Sequence, residues 1–141
     1  MEAALAIGSD DLNRAVKRAR VLSEKRNEEP FIPYAQAYIR CFNLTKKVSP
    51  QALDSSLLVD ATEIALENAI SLRIARFEQT LARGNYVMAY TLAEELVPHI
   101  EALFQAVMIM VEDEALKRNR LALLGQCVVM LGCLGDLSVL A

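Results

Sequence analysis

A chain of 141 residues with 54% hydrophobic residues has material for one buried core, and only 5 glycines and 4 prolines argue against disorder and against a turn-dense β fold. Three cysteines without a C-x-x-C pair and a single histidine, His99, are too few ligands for an ordinary zinc site, so Cys41, Cys127 and Cys133 are expected to be core thiols. The net charge of -3 is uneven: residues 1–47 carry nine Lys/Arg against six Asp/Glu, a net of +3, which leaves the remainder at -6. Such a basic third suits a small phosphate-binding footprint on an acidic body, although a solvated charged face has the same composition.

In chain order, Glu2 and Asp10 precede any long apolar run and no basic segment leads it, which argues against a secretory signal and for the cytoplasm. Asp10 or Asp11 is positioned to cap a first helix whose Leu12, Ala15, Val16, Ala19 and Leu22 recur toward a core and which ends near Arg26. Residues 27–33, with two prolines and two glutamates, read as a loop; a second helix follows over residues 34–47 and closes at Ser49-Pro50. A long helix is predicted over residues 57–83, with Leu66, Ile70, Ile74, Phe77 and Leu81 on one face and Asp60, Glu63, Glu67 and Glu78 on another.

Gly84 is the natural residue to end that helix, and Asn85 the cap of the next, which carries Tyr86, Ala89, Tyr90, Ala93, Leu96 and Val97 inward. Pro98 predicts a break, with His99 as a helix-start residue and a further helix over residues 98–111. Glu112 and Asp113 offer a cap for the last helix, striped by Leu116, Leu123, Leu124, Cys127, Leu131 and Leu134. Its apolar part, residues 121–134, includes Gln126 and two glycines and is shorter than the ~18 residues a membrane span needs. The expected fold is therefore all-α, one bundle of five or six helices over residues 1–141 with no sheet and no membrane association.

Within the second helix, Gln36, Arg40, Asn43 and Lys47 fall at steps of four, three and four and share one face. That face, with Lys46 beside it, offers cations for phosphates and an amide that both donates to and accepts from a base edge. A plain solvated face is the alternative. Tyr34, Tyr38 and Phe42 have rings for stacking on bases, but aromatic residues at helical spacing are more often core. Arg120 borders the last apolar stripe and requires an acid or carbonyl partner, with an RNA phosphate as the second option. Lys117 and Arg118 are the more exposed phosphate candidates.

Residues 107–124, Val-Met-Ile-Met-Val-Glu-Asp-Glu-Ala-Leu-Lys-Arg-Asn-Arg-Leu-Ala-Leu-Leu, closely resemble the C-terminal signature of glycyl-tRNA synthetase β subunits. Residues 135–140, Gly-Asp-Leu-Ser-Val-Leu, resemble their closing motif. Residues 37–47 look like an earlier helix of that family, with Arg40 and Asn43 at its arginine and asparagine positions; Cys41 and Phe42 beside Arg40, and Leu44-Thr45 before Lys46, depart from it. The resemblance covers most of residues 10–141 and implies a DALR-type helical anticodon-binding domain, a fold shared with arginyl- and cysteinyl-tRNA synthetases. It implies the anticodon stem-loop of glycine tRNA as a partner, with Arg40 and Asn43 at the family's positions; Gln36, Lys46, Lys47, Lys117 and Arg118 are the further contact candidates read from spacing and charge.

The constant cytosines of that anticodon present an amino donor for which Asn43 or a backbone carbonyl is chemically suitable. The resemblance further implies the rest of the β subunit and an α subunit, as α2β2 or fused, and an intact enzyme that uses ATP and magnesium to join glycine to its tRNA. A domain-sized chain opening on Met1 fits a piece excised from such a subunit. No phosphate-binding loop, paired-His motif or Ser/His/Asp set is present, so no catalytic residue and no cofactor or metal site is assigned to this chain. The competing reading is a helical protein-interaction module, because Gly84-Asn85-Tyr86 followed by Ala89 is similar to a tetratricopeptide turn, but no second copy follows at an offset of about 34 residues. An enzyme in its own right ranks third.

Overall fold

The computed structural model describes residues 2–49, 51–135 and 137, with side chains from residue 12 onward. Among these residues there are six α-helices, two single-turn 3-10 segments and no strand. The helices are α1 (Glu2–Lys25), α2 (Phe31–Thr45), α3 (Ala61–Ala82), α4 (Tyr86–Glu94), α5 (Val97–Ala106) and α6 (Glu114–Leu131). Their lengths of 24, 15, 22, 9, 10 and 18 residues contain no repeated helix pair, as a tetratricopeptide array would require.

The first helix differs from expectation in two ways. It is already helical at Glu2, so Asp10 and Asp11 lie within it rather than at its cap. Its apolar stripe is largely uncovered: Leu12 is 63% exposed and Val16 45%, while Val21 reaches the core and Leu22 packs against it. Periodicity defines which side chains share a face, but it does not state that another element lies on that face. Here α1 meets α4 and the 3-10 turn Gly132–Leu134.

Helix α2 begins at Phe31, three residues before the predicted start, and takes Pro33 into its first turn. A proline is tolerated there because the first amides of a helix have no acceptor within it. The predicted 57–83 helix is interrupted: Asp54 caps a short 3-10 turn at Ser55–Leu57, and α3 starts only at Ala61. Asp60 accepts from the Thr62 amide at 2.9 Å, and the Asp60 amide donates back to Glu63 Oε1 at 3.3 Å, a reciprocal capping box. Asp60 and Glu63 are therefore not part of an outer acidic stripe, and Glu63 is fully buried.

Gly84 ends α3 with φ of 71°, a left-handed conformation in which a Cβ would be strained. Asn85 caps α4 through the Met88 amide, and the break expected at Pro98 separates α4 from α5. Helix α5 stops at Ala106 rather than continuing to residue 111; Val107 is extended and Ile109 is turned into the core. Asp113 then accepts from the Ala115 and Leu116 amides and starts α6 as expected. Of the closing stretch 135–140, positions 136 and 138–140 lie outside the described residues.

The core joins elements distant in sequence. Helix α2 packs chiefly on α6, and α3 on α4 and α5. The Tyr34 hydroxyl donates to the Leu131 carbonyl, its oxygen lies 4.0 Å from Cys133 Sγ, and its ring meets Tyr90 at 4.5 Å between centroids. Tyr34 and Tyr38 are thus core residues and Phe42 packs at the core's edge. Cys41, Cys127 and Cys133 are buried free thiols, as expected.

Candidate nucleic-acid interface

Because Tyr34, Ala37, Tyr38 and Cys41 bind α2 to the core, the opposite side of the helix is turned to solvent. Gln36, Arg40, Asn43, Lys46 and Lys47 are all exposed on that side or at its C-terminal end. The Arg40 guanidinium lies 3.9 Å from the centroid of the Phe104 ring of α5, a cation–π contact that fixes the stem while the charge faces outward. The structure therefore brings the five α2 candidates onto one accessible surface.

Much of the basic charge of α1 is engaged internally. Arg14 donates to the Ala82 carbonyl at 3.5 Å, Arg18 lies over Tyr86 at 5.8 Å, and Lys25 lies over Tyr90 at 5.7 Å and pairs with Glu28 at 3.5 Å. These contacts secure α1 to the α3–α4 turn, where helix-terminal carbonyls attract cations. The charge count of residues 1–47 thus overstates the charge offered to a ligand, although Lys17, Arg20 and Arg26 are exposed alongside the α2 surface.

Arg120 has the partners its position demanded. It is 7% exposed, with one nitrogen 2.6 Å from the Met108 carbonyl oxygen and another 3.3 Å from Glu63 Oε1. The acid-and-carbonyl alternative, not the phosphate, is the one its geometry meets. Lys117 pairs with Glu114 at 3.1 Å, and Arg118 is exposed with its Nε 3.4 Å from the Glu114 carbonyl oxygen. Asn119, unremarked in the sequence, accepts from the Asp54 amide at 2.7 Å and ties α6 to the segment after α2.

Arg118 also lines a groove of about 320 Å³ between α6 and the end of α2, opposite Thr45 and Val48. Lys46 and Lys47 lie between those two residues in sequence and are exposed at the end of α2. Gly125, one of the two glycines in the apolar part of the last helix, also lines the groove. Among the described residues no set of three His, Cys, Asp or Glu is arranged to hold a metal, and no helix is long and apolar enough to cross a membrane.

No family model matches the chain. Individual proteins do, along its whole length. A glycine–tRNA ligase β subunit of Desulfitobacterium hafniense is 57% identical over all 141 residues. This chain is similar throughout to a segment of glycine–tRNA ligase β subunits. The counterpart from Geobacter metallireducens is 36% identical over the full chain, and that from Nitratidesulfovibrio vulgaris is 33% identical over 99% of it. The chain spans about one fifth of the length of these relatives, 20% of the first and 21% of the other two.

Proposed function

We propose that this chain is the tRNA-binding, anticodon-recognising domain of a glycine–tRNA ligase β subunit, of the DALR type, and that its α2 surface meets the anticodon stem-loop. The observation that carries this reading is the outward alignment of Gln36, Arg40, Asn43, Lys46 and Lys47 on a helix whose other side is fixed in the core. Cations on such a surface take phosphates, and the Asn43 amide has the donor and acceptor needed for the edge of an unstacked base. Lys117 and Arg118 extend the basic surface onto α6. In this reading the joining of glycine to tRNA, with ATP and magnesium, belongs to the whole cytoplasmic ligase, which includes the rest of the β subunit and an α subunit; this domain contributes binding and no catalytic group.

The test is a titration of the chain with glycine tRNA and with an anticodon-substituted form across a salt series. Lys47→Ala is expected to weaken both RNAs equally and to lower the log–log salt slope by roughly 0.7 to 0.9, the share of one phosphate contact. Asn43→Ala is expected to narrow the gap between the two RNAs by ~1 to 3 kcal/mol, the scale of a base-edge contact. If both variants, confirmed folded by circular dichroism, bind both RNAs as the parent does, the α2 surface is merely solvated.

A further inference from the structure

The groove between α6 and the end of α2 has a floor that the fold does not explain. Arg118, Ala122, Gly125 and Val129 follow one another at steps of four, three and four, so they form a single line along α6 about 16 Å long. The two smallest members occupy the middle of the line, leaving a notch between the Arg118 guanidinium and Val129, which is 70% exposed. Gly125 lies well inside the helix, where glycine is less stable than alanine by about 1 kcal/mol. A Cβ built at Gly125 would meet nothing within 4 Å. Packing within the chain therefore gives no reason for the missing methyl group, and close approach of something outside the chain does.

The walls indicate its chemistry. Val48, Leu121 and Val129 supply an apolar shelf, Gln51 and Gln126 supply amides, and Arg118 supplies a cation. Gln51 and Arg118 also line an adjoining recess of about 250 Å³ with Asp54 and Asn119. The Asp54 carboxylate there is engaged by the Ser56 amide and hydroxyl, whereas the buried Asn119 amide nitrogen has no partner. An apolar shelf, amide groups and the Arg118 cation match a base with its phosphate, and the volume is in the range of ligand clefts.

We propose that this notch seats one unstacked nucleotide of the bound RNA, with the base against Gly125 and Val129 and the phosphate at Arg118. The assignment rests on the tRNA reading above and adds a site distinct from the outer surface of α2. Gly125→Ala separates it from a structural role because the two effects have opposite signs. The added methyl group is expected to raise Tm by roughly 2 to 6 °C, since it fills open space in a helix, while lowering affinity for RNA. Gly125→Leu is expected to lower that affinity about tenfold, the scale of one lost base contact.

The probe is a glycine-tRNA anticodon stem-loop and a set in which each loop nucleotide in turn is abasic. For the parent chain, one abasic position is expected to cost about tenfold, and that position is expected to stop mattering in Gly125→Leu. Val129→Asn, at an exposed position that folding does not depend on, gives the same comparison should the leucine variant misfold. Unchanged affinity for every stem-loop in the alanine and asparagine variants overturns the site and leaves the notch to an apolar side chain of another protein segment. Failure of the parent chain to bind the stem-loop removes the tRNA reading itself, and the nucleotide seat with it.

Discussion

At the scale of single residues, the Arg120 guanidinium and the Glu63 carboxylate hold α6, the start of α3 and the Met108 loop together in a largely buried site. Arg120→Ala is expected to destabilise the chain by ~3 to 5 kcal/mol in urea denaturation, because it leaves Glu63 buried without its cation. Replacing both by aliphatic residues is expected to recover much of that loss. The requirement for a partner could be read in the sequence, since Arg120 borders an apolar stripe. Its identity could not: a capping box folds Glu63 back over the start of α3, and nothing local shows that a residue 57 positions away lies beside it. The cysteines were legible from their apolar neighbours. Burial raises the Cys41 thiol to about 12 and Cys133 to about 11, against an ordinary unfolded value of about 8.5. A group whose pKa is raised by folding stabilises fully below its unfolded value and loses that contribution as pH rises toward the folded one. The urea midpoint is therefore expected to fall progressively above pH ~8.5, and thiol reagents at neutral pH are expected to label the three cysteines only after denaturation.

At the scale of elements, the helical stripes located α3, α4 and α6, whereas their ends were set by groups with little weight in a periodicity count. Gly84→Ala is expected to cost ~1 to 2 kcal/mol through the left-handed turn alone, because a Cβ there has room, and a thermal melt measures it. The interruption before α3 was missed because Asp60 read as part of an outer acidic face and the run from residue 57 as continuous helix. Asp54 and Asp60 each bind a nearby hydroxyl and amide, Ser56 for the first and Thr62 for the second, and these bonds lower both carboxyl pKa values. A lowered pKa stabilises above the unfolded value near 3.9 and is lost as pH falls through the folded value. Melts below pH 4 are accordingly expected to depend on these caps, and Asp60→Asn to flatten that dependence. The outer surface of α2 was legible because helical spacing alone places Gln36, Arg40, Asn43 and Lys47 together. The groove was not, because its walls meet only when α2 packs on α6.

At the scale of the whole molecule, six helices around one core bring no three His, Cys, Asp or Glu together to hold a metal among the described residues. Purified chain is expected to show no ATP–pyrophosphate exchange with glycine, and measurable exchange would reassign it from a binding domain to a catalytic one. That the chain would be all-helical was legible in its 3.6-residue stripes, while the covering of each stripe was not, as the exposed Leu12 and Val16 of α1 demonstrate. The pairing of α2 with α6 bears on how the protein is made. Tyr34 is bonded to the carbonyl of Leu131, 97 residues later, so the ring side of α2 is not fully covered until α6 has been translated. At a ribosomal pace of about 5 to 20 residues per second, that interval is roughly 5 to 20 s. Throughout it, Tyr34, Tyr38 and Cys41 present an adhesive surface on the nascent chain, and a holding chaperone would find its client there.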